Sequence, residues 1–192
     1  MRKNSKPILI TIFCVLLFEV LAVILSIYSG VTDVAATHRD GKMIHWLMST
    51  TRDHSIAVRA RAIPFPALDD SAMVLKGFDH YNEMCVTCHG APGRKPDELA
   101  EGLNPHAPNL ARSTRDMEPS EMFLVVKDGI KMTGMPGFGP THSDSEIWAI
   151  VAFMKRLQTM SATEYAQFQS QKNSLQEPPD DQPENKKTGH RH

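Results

Sequence analysis

The rhythm of apolar and polar positions changes several times along the chain. From Ile8 to Tyr28 there is an apolar run of 21 residues. A helix of that length rises about 32 Å, against a hydrocarbon core of about 30 Å. Arg2, Lys3 and Lys6 precede it, so the N-terminus is expected to stay cytoplasmic and the remainder to be exported. The apolar region of a cleaved signal peptide usually runs about 7–15 residues, so an uncleaved anchor is the better reading. Glu19 sits near the middle of the run. It is either protonated and tolerated or paired with a polar group on another membrane helix. Cys14 follows Ile12-Phe13 and reads as a small buried hydrophobe.

The pattern then becomes mixed over residues 31–68. Met43, Ile44, Leu47 and Met48 recur at helical spacing beside Trp46, and Ile56, Val58 and Ile63 follow. One or two amphipathic helices are predicted. Between residues 31 and 66 five basic residues face three acidic ones, a balance of +2 that suits lipid headgroups. Packing of the apolar face on the downstream domain is the preferred alternative. Pro64 and Pro66 close the segment.

Residues 69–160 carry three helical patterns and no period-two strand pattern, so the fold class is all-α. Ser71 is placed to cap a helix bearing Val74, Gly77, Phe78 and Tyr81 and ending at Cys85. A long loop with Pro92, Pro96, Pro105 and Pro108 follows. A second helix starts near Pro119 and stops near Gly129. A third opens on the capping box Ser143-Asp144-Ser145-Glu146 and carries Ile147, Trp148, Val151, Met154 and Leu157. Three short helices bury little apolar surface, so a bound prosthetic group is expected to serve as the core. Residues 161–192 turn polar. Ser161 to Glu164 can cap one short helix holding Tyr165 and Phe168, and the composition from Lys172 onward is that of a disordered tail.

Composition narrows the function. The 192 residues are 41% hydrophobic and 22% charged, with a formal net charge of −1. Lacking a basic excess, the chain does not read as a nucleic-acid binder. Three cysteines, Cys14, Cys85 and Cys88, are too few for a disulfide scaffold.

The order of residues names a chemistry. Cys85-Val86-Thr87-Cys88-His89 is C-x-x-C-H, the attachment motif of c-type haem. Two thiols at this spacing add across the two vinyl groups as thioethers, and the adjacent histidine then lies under the iron. A redox dithiol would need a βαβ context, and a zinc site would need a second ligand pair; neither is present in the sequence.

With those residues the chain resembles a class I c-type cytochrome of the membrane-anchored, bacterial monohaem kind. The resemblance covers about Ala72 to Met160. It rests on Gly77 and Tyr81, on Cys85 to Gly90, on Pro108-Asn109-Leu110, on Gly134-Met135-Pro136 and on Trp148. It implies a cytochrome c fold around one covalently attached haem c, with Cys85 and Cys88 as attachment points and His89 as the proximal ligand. It also implies that the Pro108 carbonyl accepts the second N–H of His89. Gly77 would allow a close crossing of the last helix, with Trp148 filling the contact. Asn109 and Arg112 stay open between propionate partners and solvated loop residues.

For the sixth ligand, Met135 is the first choice. Glycine at 134 permits close approach of the backbone and proline at 136 stiffens the loop. Met132 is the runner-up; Met117 and Met122 read as packing residues, and His80, His106 and His142 as surface histidines.

The expected function is electron transfer, without catalysis, between redox donor and acceptor proteins of a respiratory chain. The expected place is a bacterial inner membrane, with the haem domain in the periplasm. Residues 72–160 hold nine basic and eleven acidic residues, so no dense lysine ring offers itself for docking. Two alternatives are a fixed haem subunit of a membrane oxidoreductase and a haem-based sensor or peroxidase.

Overall fold

In this computed structural model, which describes residues 5–176, every regular element is a helix. The chain divides into two units, Met1–Arg39 and Asp40–His192.

The first unit is built on α1, Ser5–Ser29. From Lys6 to Ser29 it is long and apolar enough to cross a membrane, and none of it is buried in protein. Two of its hydroxyls are satisfied within the helix: Thr11 Oγ1 donates to the Pro7 carbonyl (2.9 Å) and Ser29 Oγ to that of Ser26 (2.8 Å). A helix facing lipid needs this internal satisfaction, because hydrocarbon offers no partner.

The second unit opens with α2, Lys42–Ala60, a single helix. Its C-terminal end packs on the rest: Ala60 is buried, Ile63 lies against the core, and Arg59 pairs with Asp128 at 2.6 Å. Its N-terminal half does not. Met43, Ile44, Trp46 and Leu47 are exposed, so the expected packing of the apolar face downstream holds for one end only.

Helix α3 spans Ser71–His80 and is capped by Asp70, not Ser71; the Asp70 side chain accepts from the Ala72 N–H. The helix does not end at Cys85. It passes through a π turn, Tyr81–Cys85, into α4, Val86–His89. The long loop is organised by two short helices, α5 at Glu98–Glu101 and α6 at Leu110–Ser113. Helix α7, Pro119–Asp128, begins with proline and a Glu118/Glu121 capping box and stops at Gly129, whose φ is +68°. Helix α8, Asp144–Leu157, has the capping box read from Ser143 and Glu146. Helix α9, Ala162–Gln176, completes the described chain. The remainder of the polar tail, with His190 and His192, lies outside the described residues.

The core is centred on the crossing of α3 and α8. A Cβ on Gly77 would stand 1.9 Å from the Ala149 carbonyl oxygen and 2.9 Å from Phe153 Cβ, so only glycine lets the two backbones meet. Aromatic rings close around the crossing. Phe78 meets Phe153 edge-on at 5.4 Å, Tyr81 lies 5.2 Å from Phe153, and Tyr165 and Phe168 of α9 each lie 5.5 Å from Phe78. The aromatic of α8 at this contact is thus Phe153. Trp148 instead stacks on Phe123 of α7 at 4.2 Å. Sixteen buried residues form one cluster of side chains, so the domain has a protein core of its own, which three helices alone did not suggest.

Candidate haem site

The C-x-x-C-H segment sits where α3 changes register. The Val86 N–H donates to the Tyr81 carbonyl, five residues back, as in a π turn. Cys85 is buried and Cys88 is half-buried, three residues on and therefore on the same side of the helix. The end of the segment is held firmly. Tyr81 Oη donates to the Gly90 carbonyl at 2.7 Å. The Asp97 N–H donates to the Thr87 carbonyl at 2.8 Å, and Ala91 and Arg94 exchange two backbone bonds of 2.9 Å. Gly90 has φ +63°, and a Cβ there would lie 2.7 Å from the Arg94 carbonyl oxygen, which explains a glycine directly after His89.

His89 is buried and its Nδ1 donates to the Pro108 carbonyl at 2.8 Å. A carbonyl only accepts, so Nδ1 carries the proton and Nε2 keeps its lone pair. Burial lowers the His89 pKa below the ordinary imidazole value, against the opposing pull of the Pro108 carbonyl. Burial keeps the imidazole neutral and the Pro108 bond fixes its tautomer, which together give the form a metal requires. Burial, aided by Cys88, pushes the Cys85 thiol up to about 12. A thiol so raised is protonated at neutral pH, the opposite of an activated redox cysteine. Two thiols and a neutral, oriented imidazole fit covalent haem better than a dithiol exchange site. Among the described residues no group of three or more His, Cys, Asp or Glu is gathered for a separate metal ion.

Met135 lies in a loop tied to the end of α7. The Ile130 N–H donates to the Met135 carbonyl (3.1 Å), the Phe138 N–H to Val126 (3.0 Å) and the Gly139 N–H to Lys127 (2.9 Å). Thr133 Oγ1 accepts from the Met135 N–H (3.1 Å) and donates to the Ile130 carbonyl (2.7 Å). Gly129 and Gly137 make this return possible: a Cβ on Gly129 would lie 2.5 Å from the Gly137 nitrogen, and one on Gly137 would lie 2.7 Å from the Asp128 carbonyl at the end of α7. Leu103, from the loop between α5 and α6, packs against Gly134.

The other sequence candidates fall elsewhere. Met132 is 79% exposed at the loop tip, with φ +61°. Met122 is buried in α7 and Met117 packs against the core. His80 and His142 face each other, ring centroids 5.3 Å apart, and His106 is exposed. Asn109 stands at the N-terminal boundary of α6 without a side-chain capping bond, and Arg112 is exposed on that helix. A groove of about 490 Å³ between Ile63, Pro64, Phe123, Lys127, Asp128 and Trp148 includes none of the motif residues and is no part of this site. Sequence reading missed the parts played by Tyr81 and Thr133. Tyr81 gave a usable signal, an aromatic four residues before the first motif cysteine; Thr133 gave none, because its role depends on loop closure.

An all-helical fold carrying C-x-x-C-H across a π turn and α4, with the motif histidine fixed by a backbone carbonyl, fits a c-type cytochrome domain. Residues 72–154 match the family model described as cytochrome C oxidase, cbb3-type, subunit III. The match supports electron transport through covalently bound haem c in this stretch, and α1 supports membrane anchoring. Among curated proteins, the chain is 33% identical over 67 residues to a dihydrofolate synthase/folylpolyglutamate synthase of Haemophilus influenzae. That similarity covers 35% of this chain and 15% of the relative's length.

Proposed function

We propose that this protein is a membrane-tethered electron carrier with one haem c attached through Cys85 and Cys88 and ligated by His89 and Met135. Bound there, the haem supplies one-electron exchange between Fe(III) and Fe(II). His89 contributes a neutral Nε2 whose direction is set by the bond from Nδ1 to Pro108. Met135 contributes a neutral, soft thioether from a loop that backbone bonds hold to α7. Two neutral donors from braced elements stay in place in both oxidation states, so little rearrangement accompanies each electron. The thioether favours the reduced form and raises the potential. With His89 and Met135 both holding the group, the chain would leave no place on it for a substrate, which makes the domain a carrier and not itself a catalyst.

The observation that carries this reading is the Nδ1 bond of His89 to Pro108, directly after two cysteines at attachment spacing. The test is a haem stain after denaturation, combined with a spectrum of the ferric protein. Covalent haem with a methionine–iron charge-transfer band supports the proposal; non-covalent haem, or a bis-histidine spectrum, overturns it.

The basic residues before α1 suit a cytoplasmic N-terminus and a haem domain on the periplasmic face. A second reading is favoured by the description of the matched family: the domain as a fixed subunit of a respiratory oxidase. Purification in mild detergent separates the two, since a subunit co-purifies with its complex and a tethered carrier does not.

A further inference from the structure

Helix α2 carries an apolar stripe that no described residue of its own unit covers. At 100° per residue, Ile56 and Ala60 point one way, toward α7. Met43, Leu47 and Val58 point the other, with Ile44 beside them. These four are 51–77% exposed, and Trp46 is 64% exposed on the flank. No charged residue occurs from Met43 to Thr51. Such a surface is costly in water and marks a binding face.

Two observations say what covers it. The first is chain length. Only residues 30–41 separate the end of α1 from the start of α2. Twelve residues fully extended reach at most about 43 Å, so the apolar end of α2 cannot leave the neighbourhood of the bilayer that α1 crosses. The second is charge. Residues 39–61 hold Arg39, Lys42, Arg52, Arg59 and Arg61 against Asp40 and Asp53, a formal +3, whereas residues 72–160 are net negative. An apolar stripe with a tryptophan and flanking cations, tethered close to lipid, has the makeup of an interfacial helix.

We propose that the outer face of α2 docks on the surface of the membrane that α1 anchors, with Met43, Ile44, Leu47 and Trp46 entering the headgroup boundary. Docking there would restrict the attached domain to a narrow range of orientations at the bilayer. This inference rests on membrane anchoring by α1, and the experiment separates the two.

Full-length protein carrying the photoreactive residue p-benzoylphenylalanine in place of Leu47 would be irradiated in the membranes of the producing cell. A second variant would carry it in place of Ser170, an exposed position on α9. Phospholipid adducts identified by mass spectrometry are expected at position 47, at a yield roughly tenfold above position 170. Membrane fractionation of the same samples tests the anchor independently. Protein that fractionates with membranes but gives no lipid adduct at position 47 overturns the docking and leaves the anchor standing. A crosslink from position 47 to a second copy or to another protein also overturns it, by naming a different occupant. Loss of the protein from the membrane fraction would overturn the anchor itself.

Discussion

Gly77 on α3 and Ala149 on α8 approach so closely that a methyl group on Gly77 would sit 1.9 Å from the Ala149 carbonyl oxygen and 2.5 Å from its carbon. The obstacle is backbone in the middle of a helix, which cannot rotate aside. Gly77→Ala brings two opposing effects. Alanine favours the helix by about 1 kcal/mol over glycine. Forcing the helices apart disturbs the Phe78–Phe153 contact and the residues around it, and overpacking of this kind costs about 1–3 kcal/mol or more. Because the clash is with main chain, the second effect wins, and a net loss of about 2 kcal/mol is expected in chemical denaturation of the haem-loaded protein. An unchanged midpoint would mean that the crossing is looser than these distances say.

Met135→Ala should leave haem attached, since Cys85, Cys88 and His89 are untouched, while opening the sixth position. The charge-transfer band should vanish, carbon monoxide should bind the reduced form quickly, and the potential should fall. Met132→Ala should change none of these, because Met132 is exposed at the loop tip. Exchanged behaviour of the two variants would make Met132 the ligand.

Thr133 tests the positioning of that loop. Its hydroxyl bridges the Met135 N–H and the Ile130 carbonyl. Thr133→Val keeps the shape and removes both bonds, each worth about 1 kcal/mol. The methionine should remain ligated but dissociate more readily, with carbon monoxide binding faster than in the wild type and slower than in Met135→Ala. A rate equal to the wild type would assign Thr133 a purely structural role.

Much of this was legible in the sequence because it depends on local chemistry. The capping box at Ser143, proline at the start of α7 and glycine at its end act within one turn, and the C-x-x-C-H spacing carries its own meaning. What was not legible depends on long-range geometry. The π turn at Tyr81–Cys85 shifts register without any sequence mark, so the helix runs on to His89 where an end at Cys85 was expected. Trp148 and Phe153 both lie on α8, and periodicity alone does not say which one meets Gly77. Helix α9 sets its two aromatics, Tyr165 and Phe168, among mostly polar residues, too few to betray that they complete the core.

The pH response of the α8 cap follows from Glu146. Its carboxylate accepts from the Ser143 N–H at 2.9 Å and the Ser143 hydroxyl at 2.8 Å, with Lys76 nearby, and these hold its pKa at about 2. A folded-state value below the unfolded 4.5 means that the stabilisation is complete above that pH and is lost as the pH falls toward 2. Glu146→Gln should therefore be less stable than wild type at neutral pH, and the gap should close progressively below pH 4.5 when denaturation midpoints are compared across pH. A gap independent of pH would assign the loss to packing and not to the charge.

Helix α9 should prove to be part of the domain and not a dispensable extension. Tyr165 is buried and donates to Asn82 Oδ1 at 3.1 Å, within the π turn that ends on the first motif cysteine. Phe168 packs with Phe78 and Phe153. Lys172 reaches Asp79 at 3.3 Å and Glu83 at 3.0 Å. The ring burial and the ion pairs differ in weight. Truncating a buried aromatic costs about 3–5 kcal/mol, whereas ion pairs to exposed carboxylates contribute about 0–1 kcal/mol. Tyr165→Ala should thus destabilise the domain by about 3 kcal/mol and Lys172→Ala by less than about 1 kcal/mol, with only the latter effect fading in high salt. Ending the chain after Met160 should cost at least as much as Tyr165→Ala, since both rings are lost and Phe78 becomes exposed. A truncated chain as stable as the full one would show that α3 and α8 close their core without α9.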